Sequence, residues 1–220
     1  MLRERFHEYG LFLGQYLRNF RSTGAVLPSG RWLAAALSRY VGGSDGRGQR
    51  ILEVGPGTGA VTRTIARRMG PADRLDLVEL NDAFVARLRA ALAEDPIFAP
   101  IAPRTHLIHG PVEDVAGEGI YDVIISGLPL NNFTAPEVER ILARLGGLLK
   151  ADGTLSFFEY IFLRHARTLV SGRAERARLR GIGKALAAVL GPYEIRRDWV
   201  WPNVPPAWVH HVRFSKPPQS

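Results

Sequence analysis

The chain predicts an α/β protein: a Rossmann-like, mixed seven-stranded sheet with amphipathic helices ahead of it. Three observations carry that prediction. The apolar run Ile51-Leu52-Glu53-Val54 stops at Gly55-Pro56-Gly57-Thr58-Gly59, and a helical pattern follows, which is a strand, a tight turn and a helix. Short apolar runs then alternate with amphipathic stretches, as a doubly wound sheet requires. Last come two strand-like runs joined by Pro202-Asn203-Val204-Pro205-Pro206, which read as a closing antiparallel pair.

The elements follow in order. Leu2, Phe6, Tyr9, Leu13, Tyr16 and Phe20 form one helical stripe, widened by Leu11, Phe12 and Leu17. Arg3, Arg5, Arg18 and Arg21 flank it. Aromatic residues edged by arginines suit the headgroup boundary of a bilayer, but a helix packed on its own core has the same periodicity. Ser22-Thr23-Gly24 breaks this helix, and a second runs from Gly30 to Tyr40. Gly42 to Gly48 reads as a flexible linker. Residues 1–41 are expected to form an N-terminal helical segment, a candidate for membrane docking and substrate cover, and residues 50–215 the main domain.

Within that domain a helix is expected from Val61 to Met69, a strand over Arg74–Glu79, and a helix from Ala83 to Ala93 capped by Leu80-Asn81-Asp82. Strands follow at Thr105–His109 and Tyr121–Ser126. The helix Ala135–Leu149 opens on a capping box, Thr134 with Glu137. A strand over Gly153–Phe162 leads into a basic amphipathic helix, and Tyr193–Trp201 and Trp208–Phe214 close the sheet. The basic stretch carries Arg164, Arg167, Arg173, Arg176, Arg178, Arg180 and Lys184 against Glu175 alone. It is either a solvated face or a surface for phosphates.

Composition narrows the chemistry. There is no cysteine, so disulfides, thiol nucleophiles and thiolate metal sites are excluded. No metal-ligand spacing is present. His210 and His211 are adjacent on a strand, so they face opposite ways and one is expected to be exposed. A net charge of +8 calls for an acidic partner, either RNA or an anionic membrane. Residues 1–20 do not form a secretory signal, and no apolar run spans a bilayer, so a cytoplasmic location is expected.

The glycine turn lets a ligand approach the backbone. Its spacing is G-x-G-x-G, not the dinucleotide G-x-G-x-x-G, and Glu53 precedes it. A carboxylate there repels pyrophosphate and suits a ligand with a positive amino or sulfonium group. Glu79, about twenty residues past the glycines, stands where an acid bonds ribose hydroxyls. These residues resemble motif I of the class I methyltransferases that use S-adenosyl-L-methionine. A purely structural strand-to-helix turn is the alternative.

At the end of the fourth strand, Ser126-Gly127-Leu128-Pro129-Leu130-Asn131-Asn132-Phe133 resembles the proline-containing tetrapeptide of amino-group methyltransferases. Leu130 replaces the aromatic ring on which a flipped adenine stacks, which argues against a nucleobase substrate. Thr23-Gly24-Ala25-Val26-Leu27-Pro28-Ser29, the glycine loop, Ser126–Leu130, Phe158-Glu159-Tyr160 and Asn203–Ala207 occur in that order. Together they resemble the bacterial phospholipid N-methyltransferases that look like rRNA adenine dimethylases. The resemblance implies methylation of phosphatidylethanolamine towards phosphatidylcholine at the inner face of the cell membrane. It implies docking through residues 1–20 and the Arg164–Lys184 helix, with no stable nucleic-acid partner. It places the cofactor on Glu53, Gly55, Gly57, Gly59, Glu79, Leu80, Ser126 and Leu128. Gly110 is followed by Pro111 instead of an acid, so adenine falls to Glu113 or Asp114. Tyr160 is expected at the acceptor amine with Glu159 beside it; Asn131 and Tyr16 stand next in line. An RNA-adenine or small-amine methyltransferase and a non-catalytic anionic-surface module are the competing readings.

Overall fold

The computed structural model describes residues 29–43, 46–161, 173–203 and 205–214. The N-terminal stripe with Tyr16, and the stretch 164–172, lie outside them.

Helix α1 (Ser29–Leu37) precedes β1 (Arg50–Val54), α2 (Ala60–Arg68), β2 (Arg74–Glu79), α3 (Asp82–Glu94) and β3 (Thr105–His109). Then come β4 (Tyr121–Ser126), α4 (Ala135–Leu148), β5 (Leu149–Tyr160), α5 (Arg173–Tyr193), β6 (Glu194–Val200) and β7 (Ala207–Val212). The strands form one seven-stranded sheet in the order β3-β2-β1-β4-β5-β7-β6. β1 to β5 are parallel, and β7 runs antiparallel between β5 and β6. The expected mixed seven-stranded sheet is the one observed.

Local chemistry accounts for the boundaries. Asn81 caps α3 by accepting from the N–H groups of Ala83 and Phe84. Thr134 and Glu137 form the capping box on α4. β5 starts at Leu149 instead of Gly153, because Leu149 pairs with Tyr121 across a register shift and extends the ladder backwards. α5 continues to Tyr193, beyond the expected Lys184. The ends of the expected linker are pinned: the Gln49 side chain accepts from the Gly42 N–H and donates to the Tyr40 carbonyl.

Both sheet faces are covered. One holds Leu52, Ile124, Leu155 and Phe157 under α4 and α5. The other holds Ile51, Leu77, Ile125 and Phe158 under α1, α2 and α3. This two-sided covering corrects the expectation for the histidines. β7 is an interior strand, so His210 and His211 are both buried, at 3% and 0% exposure.

Candidate active site

The carboxyl ends of β1, β2, β4 and β5 lie side by side, which is where an open α/β sheet builds its ligand site. The turn after β1 is tight: Gly55 N–H donates to the Val78 carbonyl and Gly59 N–H to the Pro56 carbonyl. Gly55, Gly57 and Gly59 have φ of 70°, 55° and 81°, a left-handed conformation that disfavours other residues. Their surroundings differ. A Cβ on Gly55 would meet Leu128 at 3.0 Å, and one on Gly59 would touch Leu88 and Phe98. A Cβ on Gly57 would meet nothing within 4 Å. The loop therefore presents a bare backbone to open space at Gly57.

The two expected acids converge on this loop. Glu79, at the end of β2, accepts from the Gly57 N–H (3.0 Å) and the Asn81 N–H (2.9 Å). Burial raises its pKa, against the pull of those N–H groups. Glu53 is fully buried and accepts from the Thr62 hydroxyl at 2.7 Å. Burial pushes its carboxyl up to about 8, with the Glu79 charge adding to the effect. A raised carboxyl favours the fold while it holds its proton. The cofactor-free protein should therefore lose stability as pH rises from 4.5 towards about 8.

A cationic ligand group beside Glu53 would favour the ionised form. We expect cofactor binding at neutral pH to release a proton, read as a dependence of the calorimetric binding heat on the buffer's ionisation enthalpy. Glu53→Gln should remove that dependence. Identical heats in all buffers for the unsubstituted protein would count against contact between Glu53 and a cation.

The other expected cofactor residues sit around the same edge. Ser126 is buried as the last residue of β4, and its hydroxyl faces the Leu128 N–H. Leu80 follows Glu79, and its carbonyl meets His109 Nε2 at 3.3 Å. Glu113 and Asp114 lie exposed on a one-turn 3₁₀ helix after β3. The Asp114 carboxylate is the one folded back towards Gly110. Sequence reasoning missed Gly127, although it sits inside the tetrapeptide. Its N–H donates to the Val54 carbonyl, and a Cβ there would stand 2.7 Å from the Gly55 carbonyl oxygen.

On the acceptor side, Glu159 and Tyr160 diverge, as adjacent strand residues should. Tyr160 is 7% exposed, packed edge-on to Phe158 on the α1–α3 face. Glu159 lies on the α4–α5 face, with its carboxylate 3.9 Å from His210 Nε2. Asn131 follows β4 in a 3₁₀ turn between buried Leu130 and Phe133. Its side-chain oxygen is buried and has no hydrogen-bond partner among the described residues. Arg178 on α5 holds this turn by donating to the Asn131 and Phe133 carbonyls. One member of the basic series is thus spent on the site's backbone, while Arg176, Arg180 and Lys184 remain exposed at helical spacing. Among the described residues no cluster could hold a metal ion, and no helix is long and apolar enough to cross a membrane.

Comparison with known proteins agrees with this geometry. A family model described as a methyltransferase domain matches residues 51–153. The chain is 28% identical over 144 residues to an ornithine lipid N-methyltransferase of Singulisphaera acidiphila, covering 63% of this chain and 70% of that protein. It is 29% identical over 151 residues to a tRNA1(Val) (adenine(37)-N6)-methyltransferase of Pedobacter heparinus, covering 62% and 60%. A ribosomal RNA small subunit methyltransferase A of Geobacter sulfurreducens is 47% identical over 83 residues, which is 38% of this chain and 28% of that one. Among solved structures, an O-methyltransferase from Bacillus cereus in complex with S-adenosylhomocysteine superposes with a TM-score of 0.62 at 14% identity, covering 92% and 90%. A Burkholderia thailandensis 1,6-didemethyltoxoflavin-N1-methyltransferase, also with S-adenosylhomocysteine bound, gives 0.58 at 19% identity, covering 94% and 89%. The bare backbone at Gly57 and the buried carboxylate at the end of β2 fit that cofactor. Residues 51–153 therefore match a methyltransferase domain, and the chain has the Rossmann-like fold of methyltransferases, consistent with S-adenosyl-L-methionine as cofactor.

Proposed function

We propose that the protein N-methylates the amine of a membrane phospholipid, phosphatidylethanolamine and its methylated intermediates, while docked on the inner face of the cell membrane. The observation that carries this reading is the β4 turn. It offers the Asn131 amide oxygen to an amine, while Leu130 is packed into the core and leaves no ring at that position for a base to stack on. The ornithine lipid relative supports an amine lipid as acceptor. The tRNA and rRNA relatives keep an adenine acceptor as the rival outcome.

When bound, S-adenosyl-L-methionine supplies an electrophilic methyl group. The chain's part is to position and to control charge. Glu53 and Glu79 hold the positive and ribose ends of the cofactor; Asp114 or Glu113 meets its adenine. Asn131 and Glu159 orient the acceptor ammonium, with Tyr160 behind the sheet as the third candidate contact. Alignment of this kind is worth several kcal/mol of barrier.

The outer surface suits a bilayer. β6 runs parallel to β5, so its carboxyl end is at the cofactor edge. There Trp199 and Trp201 are 57% and 59% exposed, with Trp208 packed against Trp199 at 4.0 Å between ring centroids. Indoles settle at the headgroup level, and exposed basic residues add about 1 kcal/mol each on an anionic surface. Vesicle binding should rise with anionic lipid and fall with salt. A Trp199→Ser, Trp201→Ser double variant should bind vesicles more weakly with cofactor affinity unchanged. Equal sedimentation with purely zwitterionic and anionic vesicles would remove the electrostatic half of this docking.

The decisive assay gives methyl-labelled cofactor with phosphatidylethanolamine vesicles and with ribosomal RNA in parallel. Label is expected in the lipid. Label in RNA alone would overturn the lipid reading.

A further inference from the structure

His210 and His211 are neighbours on β7, both buried, yet they are built differently. His211 faces the α1–α3 side, and both of its nitrogens are engaged. Its Nδ1 meets the Ser156 hydroxyl at 2.7 Å and its Nε2 meets Asp198 at 3.3 Å. It braces β5 against β6. His210 faces the α4–α5 side, where its Nδ1 lies 2.6 Å from a Glu194 carboxylate oxygen. That oxygen can only accept while ionised, so Nδ1 carries the proton. In the neutral ring the lone pair is then on Nε2, which is buried without a hydrogen-bond partner among the described residues. Nε2 points towards Glu159 Oε2, 3.9 Å away.

The register places this pair at the reacting edge. His210 is level with Phe157, which is level with Ser126, the last residue of β4. The Asn131 amide oxygen, another buried atom without a partner, belongs to the turn that follows Ser126. A nitrogen and an oxygen left without partners on the α4–α5 side of one sheet edge are costly unless something visits them.

We propose that Glu194, His210 and Glu159 form a proton relay that neutralises the acceptor ammonium before methyl transfer. This rests on the amine-lipid reading above. An alkyl ammonium has no lone pair and cannot attack. In the relay its N–H bond breaks, the electron pair stays on the amine nitrogen, and the proton passes through the Glu159 carboxylate to Nε2. The new imidazolium is held by the Glu194 carboxylate. After transfer the methylated ammonium leaves, and the imidazolium returns its proton to water, one proton per methyl group. Among the described residues, the charged groups facing His210 are Glu159 from β5 and Glu194 and Arg197 from β6. α5 covers this face with apolar Leu179, Ile182 and Leu186. Burial lowers the His210 pKa, with Glu194 pulling it back up, so the ring is neutral and ready to accept at physiological pH.

The test is turnover against pH on phosphatidylethanolamine vesicles at saturating cofactor. Glu194→Gln keeps the volume and removes the charge that stabilises the imidazolium. Its acid limb should move to lower pH. His210→Ala should lose about a hundredfold in turnover, with cofactor affinity unchanged by calorimetry and partial rescue by added imidazole. His211→Gln, the matched control, should lower thermal stability without moving the limb. An unmoved limb in Glu194→Gln, or a His210→Ala loss that tracks folded fraction and ignores imidazole, overturns the relay while leaving the lipid reading intact. Wild-type label in RNA alone removes both, because an adenine amine is already neutral and is not an ammonium that must lose a proton before attack.

Discussion

Gly57→Val should give a folded protein that no longer binds S-adenosyl-L-methionine. The position has φ +55° and open space where the Cβ would project, at the turn that the β2 carboxylate also reaches. A branched side chain there fills the room meant for the ligand, and its Cβ meets nothing within 4 Å in the free protein. The left-handed backbone costs roughly 1–2 kcal/mol, so melting should fall modestly while titration calorimetry shows no binding. Glu79→Ala acts at the same place more gently. It removes a charged acceptor and should weaken binding by about 1–3 kcal/mol. It also frees the N–H groups of Gly57 and Asn81 that Glu79 now satisfies. Gly57→Val with wild-type affinity would mean that the cofactor does not lie along this loop.

The order of elements was legible because periodicity and punctuation agree along most of the chain. The Gly55–Gly59 run, the Asn81 cap and the Thr134–Glu137 box each mark a boundary by a local rule, and each boundary is found within a few residues. The cofactor side was legible for the same reason: an acid two residues before the glycines and another at the next strand's end are spacings on one chain segment. The acceptor side was not. Alternation said that Glu159 and Tyr160 diverge, but not which face each takes. That depends on α1 covering one side of β5 and α5 the other. His210 and His211 looked half exposed because alternation cannot tell a strand with one wet face from one buried on both. Glu194 meets His210 across a β6–β7 register shift, which no spacing rule shows. Arg178 read as one more cation of a solvated or phosphate-docking face, yet it holds the β4 turn. Gly127 carries no positive φ, so nothing local marked it.

Gly127→Ala should damage fold and site together, and by more than its single methyl suggests. The residue closes the junction between β1 and β4. Its N–H reaches the Val54 carbonyl at 2.8 Å, and the next turn passes so close that a Cβ would stand 2.7 Å from the Gly55 carbonyl oxygen and 3.4 Å from that of Val54. Both obstacles are backbone, so no side-chain rotation relieves them; one strand end must move. Overpacking of this kind costs about 1–3 kcal/mol. The displacement falls on Gly55 and Leu128, themselves in close contact, and so on the whole cofactor loop. Melting temperature and cofactor affinity should drop together. Gly147→Ala is the comparison: it lies near the end of α4 with nothing within 4 Å of an added Cβ, and should stabilise by up to about 1 kcal/mol without touching affinity. If Gly127→Ala melts and binds like the unsubstituted protein, then the β1 and β4 turns are not in contact as described, and the cofactor loop draws its shape from elsewhere.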